Sequence, residues 1–261
     1  MELTFKLNDN RNGLVITSAK GIKGAMIIPS EQELEGRTLP VTGINAYAFR
    51  GCSKMTSISI PKSVTEIGDN AFEKCSRLAS AVIPEHVTKI GVGIFKNCPN
   101  LFFVAVKAGN KHYDSRNNCN GIIETDTNTL VAGCLSTTIP DSVTTIGPCA
   151  FWGCTSRISI VIPNSVTEIG WGAFYGCTVL TSVVLSDSLT KISDWAFERC
   201  YKLSSIVIPD SVTEIGWFAF HSCLSLASAT IPNPATTIGR DAFQNTKMIC
   251  NNTHSDYRNA A

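Results

Sequence analysis

The residues of this chain that could do chemistry are its cysteines and histidines. Eleven cysteines are enough for several disulfides or metal sites, and four histidines could serve as bases or ligands. Seven of the cysteines recur every 23 residues, apart from one longer step. A cysteine that returns in a constant phase is typical of a buried structural position rather than of a reactive thiol. These seven are Cys52, Cys75, Cys98, Cys154, Cys177, Cys200 and Cys223.

Four cysteines lie outside that series: Cys119, Cys134, Cys149 and Cys250. A disulfide between Cys119 and Cys134 is an alternative that the sequence leaves open. Metal-ligand pairs need close spacing, such as two intervening residues. The nearest pair here, Cys149 and Cys154, has four, and Cys154 already belongs to the repeating series. We therefore predict no metal site and no cofactor.

The histidines give no clear active site. His86, His112, His221 and His254 stand in unrelated contexts, without a zinc-protease motif, a nucleophile elbow or a phosphate-binding loop. Cys119 with His112 is the best candidate for nucleophilic catalysis. One such pair without an orienting group is a weak basis for catalysis, so we predict that the chain is not an enzyme.

Composition excludes several classes of function. The 261 residues are 44% apolar and 16% charged, with a net charge of +1. A near-neutral chain lacks the basic field that nucleic-acid binding needs, so we expect no nucleic-acid partner. No apolar run reaches the ~20 residues of a membrane helix, and no secretory signal is visible after Met1. We therefore expect no membrane insertion.

Isoleucine and phenylalanine share the phase of the cysteines. Every step between successive marks is 23 residues except the one from Ile90 to Ile146, which is 56. Three residue types in register over eight copies indicate a repeat protein. The marks are Ile44, Ile67, Ile90, Ile146, Ile169, Ile192, Ile215 and Ile238, with Phe49, Phe72, Phe95, Phe151, Phe174, Phe197, Phe220 and Phe243.

Each repeat reads as one strand and one short turn. In Leu180–Cys200 the first six residues alternate as in a strand. The spacing of Ile192, Ala196, Phe197 and Cys200 predicts a helical turn or two, entered through a glycine that lets the backbone turn sharply in most copies. Such a unit cannot bury its apolar side chains alone, so the repeats must stack as coils with parallel strands.

The repeated letters "IPxSVTxIGxxAFxxC" resemble the BspA-like class of bacterial leucine-rich repeats. The resemblance implies an α/β leucine-rich-repeat solenoid: a right-handed coil with a parallel concave sheet, short helical turns on the convex side, an N-terminal β cap and one β-hairpin insert. We expect a single continuous domain, with a cap and first irregular coil in 1–43, repeats in 44–106, the insert in 107–138, repeats in 139–246 and a polar tail in 247–261.

The cap and the insert are predicted from their own patterns. "LTFKL" and "GLVITSA" flank "NDNRN" as a capping hairpin, and Ala25–Pro29 begins the first coil. In the insert, Gly121–Glu124 and Thr129–Ala132 are joined by "TDTN" as a second hairpin. The insert either bridges two blocks of coils or protrudes to contact a ligand.

Two series of residues and one single residue stand out from the repeated pattern. A serine series in the turn after the strand could bond the neighbouring coil, although His86 and Pro234 interrupt it. Arg157 stands where the first strand leucine belongs, so either its guanidinium reaches solvent or the register slips and Ile158 replaces it. The position before each isoleucine carries charges that often alternate, as in Glu168, Lys191 and Glu214, which predicts modest ion pairs. The serines are Ser63, Ser142, Ser165, Ser188 and Ser211.

Two surfaces are candidates for binding. The first is the outward face of the strands, a row of small uncharged side chains that is equally compatible with an uncommitted scaffold. Its candidate residues are Ser159, Val161, Ser182, Val184, Ser205 and Val207, edged by Asp141, Asp187 and Asp210. Six aromatic side chains form the second: Trp152, Trp171, Tyr175, Trp195, Trp217 and Phe218. These rings either cover neighbouring coils or form an exposed partner surface; we predict that at least two of the tryptophans are partly exposed.

By resemblance, the chain is a non-catalytic adhesion or interaction scaffold, secreted or at the bacterial cell surface. Its expected partner is a protein, such as an extracellular matrix or host surface protein, or a glycan. The alternative is a structural spacer of a larger envelope protein without a ligand of its own.

Overall fold

A computed structural model describes residues 2–248 of the chain. Most of the expected polar tail, with Cys250 and His254, lies outside these residues. The described part forms two compact units. Unit 1 comprises residues 2–126 and 132–138, and unit 2 comprises residues 127–131 and 139–248.

Unit 1 is built from strands and turns. Its strands are β1 (Glu2–Leu7), β2 (Leu14–Lys20), β3 (Gly24–Ile27), β4 (Glu31–Leu34), β5 (Arg37–Ile44), β6 (Met55–Ser59), β7 (Glu66–Ile67), β8 (Ser80–Ile83), β9 (Lys89–Ile90), β10 (Phe103–Val106), β11 (Tyr113–Asp114) and β12 (Gly121–Glu124). One sheet has the order β1-β2-β5-β7-β9, with β4 paired to β5, and a second has the order β10-β8-β6-β3. Each coil therefore contributes one strand to each of two parallel ladders.

Unit 2 repeats this arrangement. Its strands are β13 (Thr129–Gly133, of which 129–131 lie in this unit), β14 (Thr145–Ile146), β15 (Ser159–Val161), β16 (Glu168–Ile169), β17 (Ser182–Val184), β18 (Lys191–Ile192), β19 (Ser205–Val207), β20 (Glu214–Ile215), β21 (Ser228–Thr230) and β22 (Thr237–Ile238). The short strands β13-β14-β16-β18-β20-β22 form one parallel ladder. The other strands pair in parallel as β15 with β17 and β19 with β21. The strand predicted at the start of each repeat is confirmed by β15, β17, β19 and β21. The second ladder, whose two-residue strands end at the marker isoleucines, was not predicted.

The predicted helical turns are wrong. Residues 2–248 contain no α-helix and only one short 3-10 turn, at Arg116–Asn118. Each coil instead places two residues with positive φ four positions apart around its Ala-Phe pair, such as Asn70 at 53° and Lys74 at 60°. A left-handed residue breaks a right-handed helix, and two per coil produce a series of tight turns.

Hydrogen bonds between coils explain why tight turns replace helices. The Phe72 N–H donates to the Ile94 carbonyl at 2.9 Å, and the Phe174 N–H donates to the Ala196 carbonyl at 2.7 Å. The alternate amides bond within the coil, as from Glu73 N–H to the Asn70 carbonyl at 3.0 Å. Half of the amides on the turn side are thus committed to the next coil and cannot close a helix.

The marker residues form the core. The rings of Phe72 and Phe95 lie 5.6 Å apart, and those of Phe174 and Phe197 lie 5.0 Å apart. The predicted stack of inward phenylalanines is confirmed, as is the burial of the cysteine series except at the half-buried Cys154. The marker isoleucines are buried except Ile90 and Ile238, which are partly exposed.

The repeated glycine has a different role from the predicted one. Neither Gly68 nor Gly216 has a positive φ, so neither position needs the conformational freedom of glycine. A Cβ at Gly68 would lie 2.4 Å from the backbone nitrogen of Ala46, and one at Gly216 would lie 2.4 Å from that of Asp194. The glycine is required because adjacent coils approach closely there.

The cap and insert contain the expected strands. β1 and β2 form the antiparallel N-terminal hairpin, and β3 pairs in parallel with β6 at the first coil. The β4–β5 hairpin inside that coil was not predicted. In the insert, β12 matches the predicted Gly121–Glu124, and β13 extends one residue beyond the predicted end. The Ser115 hydroxyl accepts from the Val106 N–H at 2.9 Å and donates to the Gly121 carbonyl at 2.6 Å, which closes the edge of β10.

Candidate functional site

The six candidate aromatic residues, here called the aromatic strip, lie on the turns of unit 2. Trp171, Trp195 and Trp217 are 39%, 38% and 58% exposed. The other three members are partly buried. The prediction that at least two tryptophans are partly exposed is therefore confirmed.

Four rings of the aromatic strip form a continuous chain of contacts. Trp152 stacks on Tyr175 with centroids 3.9 Å apart. Trp152 meets Trp171 edge to face at 5.9 Å, and Trp171 meets Trp195 in the same way at 6.1 Å. The two edge-to-face contacts have a preferred geometry for aromatic pairs. The rings thus pack across neighbouring coils, and two of them also stay exposed. Covering the coils and presenting an exposed aromatic surface are therefore compatible.

The backbone holds the rings in place. Gly172 has a φ of 57°, and a Cβ there would lie 2.4 Å from Cζ3 of Trp152. The Trp152 ring therefore occupies space that only a glycine leaves open. Two coils after that of Gly172, the Trp217 N–H donates to the Asp194 carboxylate at 2.7 Å. The strip is anchored on turns rather than on a mobile loop.

A charged cluster borders the aromatic strip. The guanidinium of Arg199 lies 5.6 Å from the Tyr175 ring centroid, in cation–π range. Glu198 is buried, with its carboxylate 3.5 Å from Arg199 Nε and 3.4 Å from His221 Nδ1. Burial, and to a lesser degree the Glu198 charge, raises the pKa of Tyr175. The Tyr175 hydroxyl is therefore a protonated hydrogen-bond donor at neutral pH. Phe218 meets His221 edge to face at 5.4 Å.

The second candidate surface, here called the strand row, is the set of six serines and valines predicted above. All six side chains are exposed. Val161, Val184 and Val207 are 65%, 53% and 67% exposed. Ser159 lies opposite Ser182 and Val161 opposite Val184 in the parallel register, so like residues are neighbours. The result is a flat, uncharged, partly aliphatic surface.

Three aspartates border the strand row. Asp141, Asp187 and Asp210 are exposed. The Asp187 N–H donates to the Asn164 side chain at 3.1 Å, and the Asp210 carbonyl accepts from the Asn233 side chain at 3.0 Å. Within residues 2–248 none of the three carboxylates takes part in an ion pair. They are therefore exposed acceptors at the margin of the surface.

Both predictions for Arg157 are wrong. Arg157 keeps the leucine position and is only 8% exposed, while Ile158 points outward and is 64% exposed. The guanidinium lies 5.2 Å from the Phe151 ring centroid and donates to the Ser159 carbonyl at 3.2 Å. The flat guanidinium packs on an aromatic ring inside the coil, so the register does not need to slip.

The predicted alternating charges form fewer ion pairs than expected. Lys191 Nζ lies 3.2 Å from the Glu214 carboxylate. Glu66 lies opposite Lys89 in the ladder, yet these two side chains form no ion pair within residues 2–248. The Glu168 carboxylate contacts the Ser193 hydroxyl at 3.5 Å instead of a lysine.

A family model decides what kind of repeat this is. The model for the BspA type leucine rich repeat region matches in six copies, over residues 31–122 and 132–250. The chain belongs to the BspA-type leucine-rich repeat family. Proteins with this repeat are generally non-catalytic scaffolds that bind other proteins.

Two solved structures support the leucine-rich repeat fold. A leucine-rich cell surface protein from Faecalibacterium prausnitzii has a TM-score of 0.58 and 22% identity, and the match covers 95% of this chain and 92% of that one. The pneumococcal vaccine antigen PcpA has a TM-score of 0.60 and 16% identity, with coverage of 94% and 88%. At these identities the likeness concerns the fold.

No match was found among curated proteins. Within residues 2–248 of this leucine-rich repeat chain, no helix has the length and apolar character needed to cross a bilayer.

Burial opposes ionisation of several cysteine thiols of this leucine-rich repeat, among them Cys52 and Cys119. Burial raises the pKa of Cys52 to about 11 and that of Cys119 above its usual range. Cys119 is buried and His112 is exposed. Nucleophilic catalysis needs a thiolate, so the environment of Cys119 opposes that role.

Within residues 2–248, neither a disulfide nor a metal site joins Cys119 and Cys134. The Cys134 sulfur lies 3.1 Å from the Phe102 carbonyl and 3.2 Å from the Asn120 carbonyl, and neither Cys119 nor Cys134 is in a disulfide. Among the described residues no group of three His, Cys, Asp or Glu side chains could hold a metal ion.

The side-chain ladder of this leucine-rich repeat runs mainly through threonine, and the predicted serine bonds form at some coils. The Thr190 hydroxyl donates to the Thr167 carbonyl at 3.0 Å, and Thr65 bonds Thr42 in the same way at 3.2 Å. Among the predicted serines, Ser63 donates to the Ser30 carbonyl at 3.3 Å and Ser211 to the Leu189 carbonyl at 2.7 Å. The buried Ser165 hydroxyl has no hydrogen-bond partner within residues 2–248. The "SVT" threonine recurs every 23 residues, which was the available signal for this ladder.

Proposed function

We propose that this chain is a non-catalytic adhesion scaffold of the bacterial cell surface. Its partner is an extracellular matrix or host surface protein, or a glycan, and the aromatic strip is the binding surface. The exposed tryptophans of the strip carry this proposal, because an exposed aromatic cluster on a rigid backbone is the usual core of a binding surface.

The strip fits recognition better than stability alone. Tryptophans at 39% and 58% exposure, Trp171 and Trp217, bury only part of the area that makes such rings stabilising. Tyr175 and Arg199 add a hydrogen-bond donor and a positive charge beside the rings. A partner that covers the strip would gain aromatic contact area together with polar contacts that fix its orientation.

The strand row is a second candidate surface of the same scaffold. Its exposed valines on a rigid sheet favour contact with an apolar patch of a protein, whereas its lack of charge offers little to a polyanion. Leucine-rich repeat proteins commonly bind on this face, which is an analogy of fold. Val184→Lys and Val207→Lys would test it, since both side chains are exposed and tolerate the change.

The experiment is a binding screen of the whole chain against matrix proteins and glycans, followed by affinity measurement on each hit. We expect Trp171→Ala and Trp217→Ala each to weaken binding at least about tenfold, as for buried aromatic residues at interface centres. The matched control is Val92→Ala, because Val92 is exposed and holds the same repeat position in unit 1.

Other outcomes separate the alternatives. Loss of binding in the lysine variants of the strand row, with full binding by the tryptophan variants, would move the site to that face. If no matrix protein, host protein or glycan binds, the spacer function is favoured and adhesion is rejected.

A further inference from the structure

Unit 1 has a groove of about 760 Å³ between the N-terminal hairpin and the first coil. Its apolar lining consists of Leu3 and Phe5 of β1, Ile27 of β3, Leu34 of β4, and Pro29, which follows β3 and has no N–H. Glu2 and Glu33 are the charged residues of the lining. Neither the family relationship nor the proposed adhesion surface explains this groove.

Among residues 2–248, three strands at this groove have an edge that no other strand pairs with. β1 is the outer strand of one sheet, β3 is the outer strand of the other, and β4 pairs with β5 alone. On β3 the N–H groups of Gly24 and Ile28 donate to the carbonyls of Lys54 and Ser59, at 2.9 and 3.0 Å. Amides alternate in direction along a strand, so the N–H of Ile27 points away from β6.

The exposed edge is also apolar. Ile27 is 74% exposed although it lies in a strand, and Leu3, Phe5 and Leu34 are only partly buried. Unpaired backbone groups beside apolar side chains form a template for an added strand. Peptide recognition by strand addition uses this combination: main-chain bonds give affinity, and pockets for alternate side chains give specificity.

Charge decides which strand fits. The two charged groups of the lining, Glu2 and Glu33, are both carboxylates. Like charges would disfavour a second copy of this edge, whereas a basic segment gains attraction along its length.

We propose that this groove binds an extended, basic segment of a partner protein as an additional strand beside β3. Alternate apolar residues of that segment lie on Leu3, Phe5 and Ile27, and its lysines or arginines face Glu2 and Glu33. The Ile27 N–H donates to a carbonyl of the added strand. This site is in unit 1 and is independent of the aromatic strip.

The test uses the whole chain and synthetic peptides of about eight residues. One peptide alternates lysine and valine, a second alternates glutamate and valine, and a third is the basic peptide with N-methyl groups on alternate amides. We expect the basic peptide to bind at least about tenfold more tightly than either of the others, as measured by fluorescence anisotropy. Hydrogen exchange should show slower exchange of the Ile27 amide in the complex.

Variants separate backbone pairing from charge. Ile27→Pro removes the outward N–H without breaking a bond to β6 and should abolish binding, whereas Ile27→Ala keeps the N–H and should weaken binding less. Glu33→Lys should weaken binding at least about tenfold. Glu31→Lys is the matched control, since Glu31 is exposed on the same strand but does not line the groove.

Four results would overturn the proposal: no binding of the basic peptide, equal binding of the acidic peptide, binding that survives N-methylation, or a chain that self-associates through β3. If Ile27→Pro proves unstable, Glu33→Lys and the N-methylated peptide still decide the outcome. Tryptophan variants of the aromatic strip should leave peptide binding unchanged.

Discussion

The turns of the two units share one backbone conformation but differ in the side chains that they expose. In each coil, two positions lie between that of the repeated glycine and the Ala-Phe pair. In one coil of unit 1 they hold Asp69 and Asn70. In unit 2 they hold Trp217 and Phe218. Asn70 and Phe218 have nearly the same φ, 53° and 55°. The backbone is therefore set by the buried positions, and the exposed positions are free to specialise.

The cores differ in regularity. In unit 2 the phenylalanine rings lie nearly parallel, with interplanar angles of 3° to 7°. In unit 1 the corresponding angles are 33° and 21°. The inserted β4–β5 hairpin and the cap make the coils of unit 1 less alike, while the copies in unit 2 stack with little adjustment. Repetition of sequence thus becomes repetition of geometry only where neighbouring coils match.

The largest effect is expected from removing a core ring. Phe174→Ala in unit 2 and Phe72→Ala in unit 1 should each lower the free energy of unfolding by about 3–5 kcal/mol, since both rings are fully buried. Urea unfolding gives the loss, and hydrogen exchange shows which unit is affected. A loss of less than about 1 kcal/mol at either position would contradict the shared core.

The next largest effect on stability is expected from alanine substitution of one glycine on the turn side of each unit. Gly93 and Gly172 hold the same repeat position with φ of 64° and 57°. Alanine at either position should cost about 1–2 kcal/mol for its left-handed backbone. A Cβ at Gly93 meets the flexible Lys96 side chain at 2.7 Å, whereas at Gly172 it meets the Trp152 ring at 2.4 Å. Gly172→Ala should therefore cost at least about 1 kcal/mol more.

Tryptophan fluorescence makes this pair of variants easy to distinguish, because all four tryptophans lie in unit 2. Gly172→Ala should shift the emission of the native protein, and Gly93→Ala should leave it unchanged. Equal losses of stability and identical spectra would show that Trp152 does not need the space at Gly172.

A smaller effect is expected from the threonine ladder. Thr190→Val and Thr65→Val each remove one exposed hydrogen bond to the preceding coil and should lower the free energy of unfolding by about 0.5–1 kcal/mol. Urea titrations of both variants measure it. We expect equal losses in the two units, and a loss confined to one of them would break their equivalence.

The smallest effect concerns the charges before the isoleucine mark. Glu214→Gln removes the contact with Lys191 and should cost about 0.5 kcal/mol or less, decreasing with added salt. Glu66→Gln is the control, since Glu66 makes no ion pair among residues 2–248, and it should change stability by less. The two variants are compared by thermal unfolding at low and high salt.

The sequence predicted the parts of the fold that depend on burial. Phe72, Phe174 and the strand residues recur with a fixed period because each coil buries them against the next. The second strand was missed because β7 and its equivalents are two residues long and exist only through pairing with neighbouring coils. The helical turn was predicted from spacing that fits tight turns equally well. Glycine or asparagine at positions such as Asn70 and Gly172 was the signal against a helix.

Some contacts among the candidate residues follow from the repeat for the same reason. Trp152 and Tyr175 are one repeat apart, so their stacking follows from the register. Glu198 and His221 are also one repeat apart, and their contact was readable in the same way although it was not predicted. The burial of Arg157 was not readable, because the cation–π contact with Phe151 depends on the side-chain direction inside the coil.

The hydrogen bonds of the turn side join each coil to the next at a constant offset, and this has a consequence for how such chains change length. A whole 23-residue copy can be gained or lost while all other bonds keep their partners. One extra residue within a coil would displace the donors and acceptors of that coil relative to those of its two neighbours, while coils farther along keep their own offset. Natural relatives should therefore differ in length by whole copies, with irregular additions confined to segments between the ladders.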